Sequence, residues 1–128
     1  MTNLNSLNKK WEAQLRKGTL EIAIMAALRE QKLYGLELLK LLQSLESMQI
    51  TEGTLYPLMD RLKREGLISA EWVQEGDSRP RKYFQLTTHG KEKLSILTTM
   101  WRQSVIDVET LLTNANCDNQ NIKGVSND

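Results

Sequence analysis

Residues 51–82 read TEGTLYPLMDRLKREGLISAEWVQEGDSRPRK, and this stretch decides the fold. Leu55, Leu58, Met59 and Leu62 recur at the i, i+3, i+4, i+7 spacing that lines one stripe of a helix, while Tyr56, Asp60, Arg61, Lys63 and Arg64 fall off it. One face is core and the other is available. Thr51 or Thr54 can cap this helix. Thr54 is favoured, because Pro57 then falls in the first turn, where its missing N–H is not needed. Were the helix to start at Thr51, the residue four before the proline would be Gly53. Gly66 supplies the left-handed stop.

Beyond Gly66, Ile68, Ala70 and Trp72 alternate with Ser69, Glu71 and Val73, and Tyr83 to Thr87 is again rich in aromatic and β-branched residues. Both runs predict strands. The loop between them, Glu75 to Arg81, contains Gly76, Ser78 and Pro80, and Arg79, Arg81 and Lys82 crowd its end. A helix followed by a hairpin with a cationic tip is a shape for gripping duplex nucleic acid, because guanidinium forks suit phosphate oxygens and a narrow minor groove.

Working outward, the chain of 128 residues, 40% hydrophobic, suffices for one domain with a modest core. There is no run of eighteen apolar residues and no charged-then-apolar leader, so a cytoplasmic location is expected. Cys117, the single cysteine, agrees with a reducing compartment. His89 is the single histidine, so neither a metal cluster nor a Cys–His pair is expected, and no cofactor and no catalysis are expected either. Net charge is only +1, with a pI near 7.8. Distribution outweighs the sum, because Arg61, Lys63, Arg64, Arg79, Arg81 and Lys82 sit in two adjacent elements. A focused, salt-sensitive contact follows rather than general polyanion binding.

Upstream, residues 1–18 carry Leu4, Leu7, Trp11 and Leu15 at spacings of three and four, a short amphipathic helix in need of a partner surface. Gly18-Thr19 is expected to break the chain, with Thr19 capping a buried helix from Leu20 to Gln31. After a break at Lys32 to Gly35, a third helix is predicted over Leu36 to Leu45, and Ile50 is a candidate bridge to the hairpin. Three helices and a two-stranded wing make a winged helix-turn-helix over residues 19–88.

Downstream, a long helix is predicted from residue 89 to 114, with Leu94, Leu97, Trp101, Ser104, Val108 and Leu111 forming a heptad seam and Val105 counted with it. That seam, with Leu4, Leu7, Trp11 and Leu15, is the expected homodimer surface. Residues 115–128 are asparagine-rich and aperiodic, and read as a disordered tail. The fold expected is mainly α with a small β-hairpin, an α+β winged helix-turn-helix carrying a long C-terminal dimerisation helix.

Several runs together resemble the PadR family of bacterial transcriptional regulators. They are Leu15 to Glu21 (LRKGTLE), Tyr34-Gly35, Gly53 to Leu58 (GTLYPL), Leu62 to Ile68 (LKREGLI), Arg79 to Tyr83 (RPRKY) and Leu86 to Gly90 (LTTHG). The resemblance spans roughly residues 13–112, and the length is similar to that of the short branch with one C-terminal helix. It implies a homodimer with a recognition helix in the major groove of each half-site and wings on flanking minor groove or backbone. Such proteins usually repress. The resemblance further implies a planar hydrophobic or phenolic effector stacking on a tryptophan that corresponds to Trp101. Asp77 stands where that family's wing is often glycine-rich, and Phe84 where it often has tyrosine.

The DNA-contacting candidates are therefore Tyr34, Gly35, Thr54, Tyr56, Arg61, Lys63, Arg64, Ser78, Arg79, Arg81 and Lys82. Arg61 is expected to reach a guanine edge and Tyr56 a phosphate, while Tyr34-Gly35 opens a helix whose free N–H groups suit a phosphate. Thr54 serves equally as a cap. For the effector, the candidates are Trp101, Trp11 and Met100, although an aromatic at a heptad core position serves dimer packing as well. Trp72 is expected to pack in the wing or core. A winged-helix protein-interaction module and an activator of the same fold are the alternatives.

Overall fold

Thr19 follows a glycine inside an apolar run, yet it does not cap a new helix. In the computed structural model, which describes residues 2–116 and side chains from 7 to 114, α1 runs unbroken over Thr2–Ala27. The Thr19 hydroxyl is directed back to the carbonyls of Leu15 and Arg16, both at 3.3 Å, the way a threonine is accommodated inside a helix. Glycine there costs only about 1 kcal/mol against alanine, too little to break a helix whose later turns bury Leu20, Ile24 and Met25. The expected break at Gly18-Thr19 is thus corrected, and the helix ends at Ala27 rather than Gln31. Leu4 lies in α1, but its side chain is outside the described ones, and Cys117 with the rest of the tail from 117 onward lies outside the described residues. Of the segment read as a tail, Ala115 and Asn116 belong to the last helix.

After α1 come β1 (Leu33–Tyr34), α2 (Gly35–Gln43), α3 (Glu52–Arg64), β2 (Ile68–Val73), β3 (Arg81–Leu86) and α4 (Thr88–Asn116). The hairpin is therefore part of a three-stranded antiparallel sheet in the order β1-β3-β2. Its third strand pairs Leu33 with Phe84 and Tyr34 with Tyr83. Ile50, the expected bridge, instead drops into the core between α2 and α3.

Helix α3 starts at Glu52, with Thr51 and not Thr54 at its N-cap. The backbone N–H groups of Thr54 and Leu55 both close on the Thr51 carbonyl, at 3.1 and 3.0 Å. Pro57 then sits inside the helix, where it removes one bond, to Gly53, on an exposed flank. Gly66 has φ +78°, the left-handed stop expected after the last turn.

One face of the sheet closes the core. Leu86 lies opposite Ile68 and Phe84 opposite Ala70, and they pack with Leu38, Leu42, Leu55, Met59 and Leu62 from the helices. The next pair on that face, Trp72 and Lys82, runs past the end of the core, which leaves Trp72 68% exposed. Its expected packing role is corrected accordingly.

A polar knot joins the wing to α4. Thr87 directs its hydroxyl to the Gly66 carbonyl (2.7 Å), with the Leu67 carbonyl 3.1 Å away, and accepts the Gly90 N–H at 2.9 Å. That makes Thr87 the cap of α4. The chain divides into two compact units, one up to Ser95 and one from Ile96 onward. Leu94 belongs to the first and is buried there at 4% exposure, so it serves this chain's own core and not the dimer seam expected of it. In the second unit Trp101, Val105, Val108 and Leu111 are exposed on one long helix.

Candidate nucleic-acid interface

Three elements converge on one surface of the first unit: the start of α2, the exposed flank of α3 and the wing. At α2, Glu37 takes the Tyr34 N–H at 3.1 Å, a carboxylate closing the helix start. Gly35 is buried beneath the Tyr56 ring: a β-carbon there would lie 2.6 Å from the phenol oxygen. Burial first, and then the Glu52 carboxylate, push the Tyr56 phenol above its ordinary pKa, so it stays a neutral donor.

Along α3, Thr54, Lys63 and Arg64 are exposed. Arg61 is not freely projecting as expected. Its Nη2 lies 2.5 Å from a Glu21 oxygen on α1 and its Nη1 3.1 Å from Glu65, and these carboxylates hold the guanidinium more firmly protonated than usual.

On the wing, Gly76 at φ +61° turns the loop, and the Ser78 hydroxyl donates to the Glu75 carbonyl at 2.5 Å. Ser78 thus spends its donor inside the loop, while Arg79 is exposed. Arg81 and Lys82 belong to β3 rather than to the loop. The Arg81 guanidinium stacks 4.6 Å over the Tyr34 ring, which meets Tyr83 edge-on at 5.5 Å, and the Lys82 ammonium lies 5.6 Å from the Phe84 ring. On the sheet face that carries Tyr83 and Arg81, opposite to that of Lys82 and Phe84, Lys32 pairs with Glu71 at 2.9 Å. That hydrogen bond raises the Lys32 pKa. Stacked guanidinium leaves its N–H edge free for phosphate oxygens.

Between α3 and the wing lies a cleft of about 330 Å³ whose lining includes Tyr56, Asp60, Trp72 and Lys82. Neither Trp72 nor Asp60 was expected to line a cleft at this surface, nor Glu21 to hold Arg61. The one available signal was strand parity, which places Trp72 on the same face as Ile68 and Ala70, opposite a lysine. Among the described residues no group of three or more His, Cys, Asp or Glu could hold a metal ion, and no helix is long and apolar enough to cross a membrane.

Residues 24–96 match the PadR-like family of transcriptional regulators. The chain belongs to that family. A relative from Lysinibacillus sphaericus, itself uncharacterized, is 32% identical over 96 residues, covering 72% of this chain and 88% of that protein. Among solved structures, a PadR family regulator from Eggerthella lenta is 35% identical, with a TM-score of 0.77 and coverage of 88% of this chain and 97% of that one. A PadR-like regulator from Bacillus cereus is 31% identical at a TM-score of 0.72, covering 77% and 96%. PadR-like proteins are regulators rather than enzymes, and the α+β winged-helix architecture described above is theirs. This chain accordingly has the fold of a DNA-binding regulator.

Proposed function

We propose that this PadR-like chain is a sequence-specific, cytoplasmic repressor acting as a homodimer and released by a small planar hydrophobic or phenolic effector. The DNA half rests on one observation: Tyr56 on the exposed flank of α3 lines one cleft with the wing cations Arg81 and Lys82, while Thr54 on the same helix and Arg79 on the wing are exposed. In that reading Thr54 and Tyr56 face base edges and phosphate in the major groove, Lys63 and Arg64 add charge, and the wing follows the flanking backbone. Repression is carried over from the family resemblance.

The dimer half rests on apolar surface. Leu7, Trp11 and Leu15 on α1, and Trp101, Val105, Val108 and Leu111 on α4, are exposed, more large apolar side chains than a solvated helix face needs. Leu15 and Leu45 also line a groove of about 980 Å³ beside α1. Two protomers would present two α3 helices to half-sites about one helical turn, roughly 34 Å, apart. Trp101, Met100 and Trp11 offer the ring and thioether surfaces a planar effector would contact. Such a ligand acts only through differential affinity for two arrangements of the dimer.

The deciding experiment selects duplexes from a random library with the purified chain, then titrates the selected and a scrambled duplex across a salt series. A preference for the selected duplex, with affinity falling steeply in salt, establishes specific binding. Equal binding to both would shift the reading to a protein-interaction module, and a reporter fused to the selected site separates repression from activation.

A further inference from the structure

We infer that Arg61 is a positioning residue that locks the recognition helix α3 to α1 through Glu21, rather than a reader of bases; the inference rests on the DNA-binding reading above. Bases in helix-turn-helix proteins are read from the N-terminal part of the recognition helix, whereas Arg61 stands in the last turn of α3, which begins at Glu52. Both of its terminal nitrogens are already directed to carboxylates, Nη2 to Glu21 at 2.5 Å and Nη1 to Glu65 at 3.1 Å. A bidentate guanine contact would have to strip the guanidinium from Glu21, whose side chain is 32% exposed, and leave that carboxylate half-buried without its cation.

The pair has something specific to do. On the two helices Leu20, Ile24, Leu55 and Leu62 are buried in the core, and apolar burial is non-directional, so by itself it fixes the rotation of a helix about its own axis only weakly. A charge-assisted bond from the side of one helix to the side of the other fixes the rotation of α3 about its own axis, and with it the angle at which Thr54 and Tyr56 are presented. Among the described residues this is the ion pair that joins α1 to α3. Glu65 orients the same guanidinium from within α3's own C-terminal end.

The test compares wild type with Glu21→Gln, Arg61→Gln, Arg61→Lys and the double variant E21Q/R61Q, on the library-selected duplex and a scrambled duplex. Positioning predicts that E21Q and R61Q each lower the selected-to-scrambled affinity ratio about three- to tenfold, that the double variant is no worse than either, and that R61K recovers part of the loss. The slope of affinity against salt stays at the wild-type value in every variant, because no phosphate contact is lost. An E21Q ratio equal to or above wild type overturns the proposal, as does an R61Q variant with preference relaxed at one base pair or a salt slope reduced by about one. Amide hydrogen exchange in the free protein provides an arm that needs no DNA. Faster exchange of α3 amides in both E21Q and R61Q supports the lock, and unchanged exchange overturns it. Wild type without preference for the selected duplex would defeat the DNA reading alone, and the exchange arm would still decide whether Glu21 holds α3.

Discussion

The Tyr56 ring lies over Gly35, so close that a β-carbon on Gly35 would sit 2.6 Å from its hydroxyl oxygen and 2.7 Å from a ring carbon. The start of α2 and the exposed flank of α3 therefore touch through one aromatic edge. Gly35→Ala should leave stability within about 1 kcal/mol of wild type, because alanine favours the helix by roughly 0.5–1 kcal/mol and the obstructing atoms end a flexible side chain. Affinity for the selected duplex should nevertheless fall, since Tyr56 must swing away. Thermal unfolding and a gel-shift titration check the two halves, and unchanged DNA affinity would remove Tyr56's placement from the account. The contact is also pH-tolerant: with its phenol pKa raised, what Tyr56 contributes is intact below the ordinary tyrosine range and is lost only as pH climbs through the raised value.

Two other glycines should behave oppositely. A β-carbon on Gly90 would be driven into the Leu67 carbonyl, backbone that the Thr87 knot holds in place. Gly90→Ala is expected to cost about 1–3 kcal/mol or more by overpacking. A β-carbon on Gly18 meets nothing within 4 Å, so Gly18→Ala should stabilise the chain by about 0.5–1 kcal/mol. Denaturant unfolding of both variants decides, and a destabilised G18A would count against an unbroken, unobstructed α1 at that point.

These glycines also mark what could be read from the chain. Gly66 stood where a leucine-striped helix met an alternating run, and local backbone chemistry alone placed the stop there. The two longer strands and the winged-helix class followed from the same alternation. Gly18 and Thr19 misled because a break signal is local while the decision to continue a helix was made by Leu20, Ile24 and Met25, buried against other elements. Leu33–Tyr34 was too short to show a period, and became a strand only because Phe84 and Tyr83 offered an edge. At the candidate site, charge showed where cations were but not what they faced. Arg61 and Glu21 are forty positions apart, Arg81 stacks its flat face on the Tyr34 ring, and neither partnership has a signature in spacing.

The division of labour along α4 yields a sharper test of assembly. Leu94 is core and should cost about 2–5 kcal/mol when cut to alanine. Val108 and Leu111 are exposed in the single chain, so aspartate at either should leave the protomer folded. In the proposed homodimer, however, a carboxylate there is buried against a second apolar seam, and association should be lost. Sedimentation of V108D and L111D should report folded monomers, with circular dichroism confirming the helices. Dimers that persist would place the seam elsewhere.

The tryptophans give the last test, because they separate the surfaces optically. Trp11, Trp72 and Trp101 are 58%, 68% and 42% exposed in the single chain, so a monomer should emit like solvated indole. If α1 and α4 meet a second copy, Trp11 and Trp101 lose water on association while Trp72, beside the wing, does not. Dilution should therefore shift the emission to the red in wild type and in Trp72→Phe, and leave it unmoved in the double variant W11F/W101F. Addition of the selected duplex should perturb the emission carried by Trp72, which lies in the cleft beside α3. A planar phenolic effector should instead quench W72F through stacking and lose that effect in Trp101→Ala. Emission that ignores concentration in all variants would argue against burial of these rings on association, and quenching that survives W101A would take the effector away from Trp101.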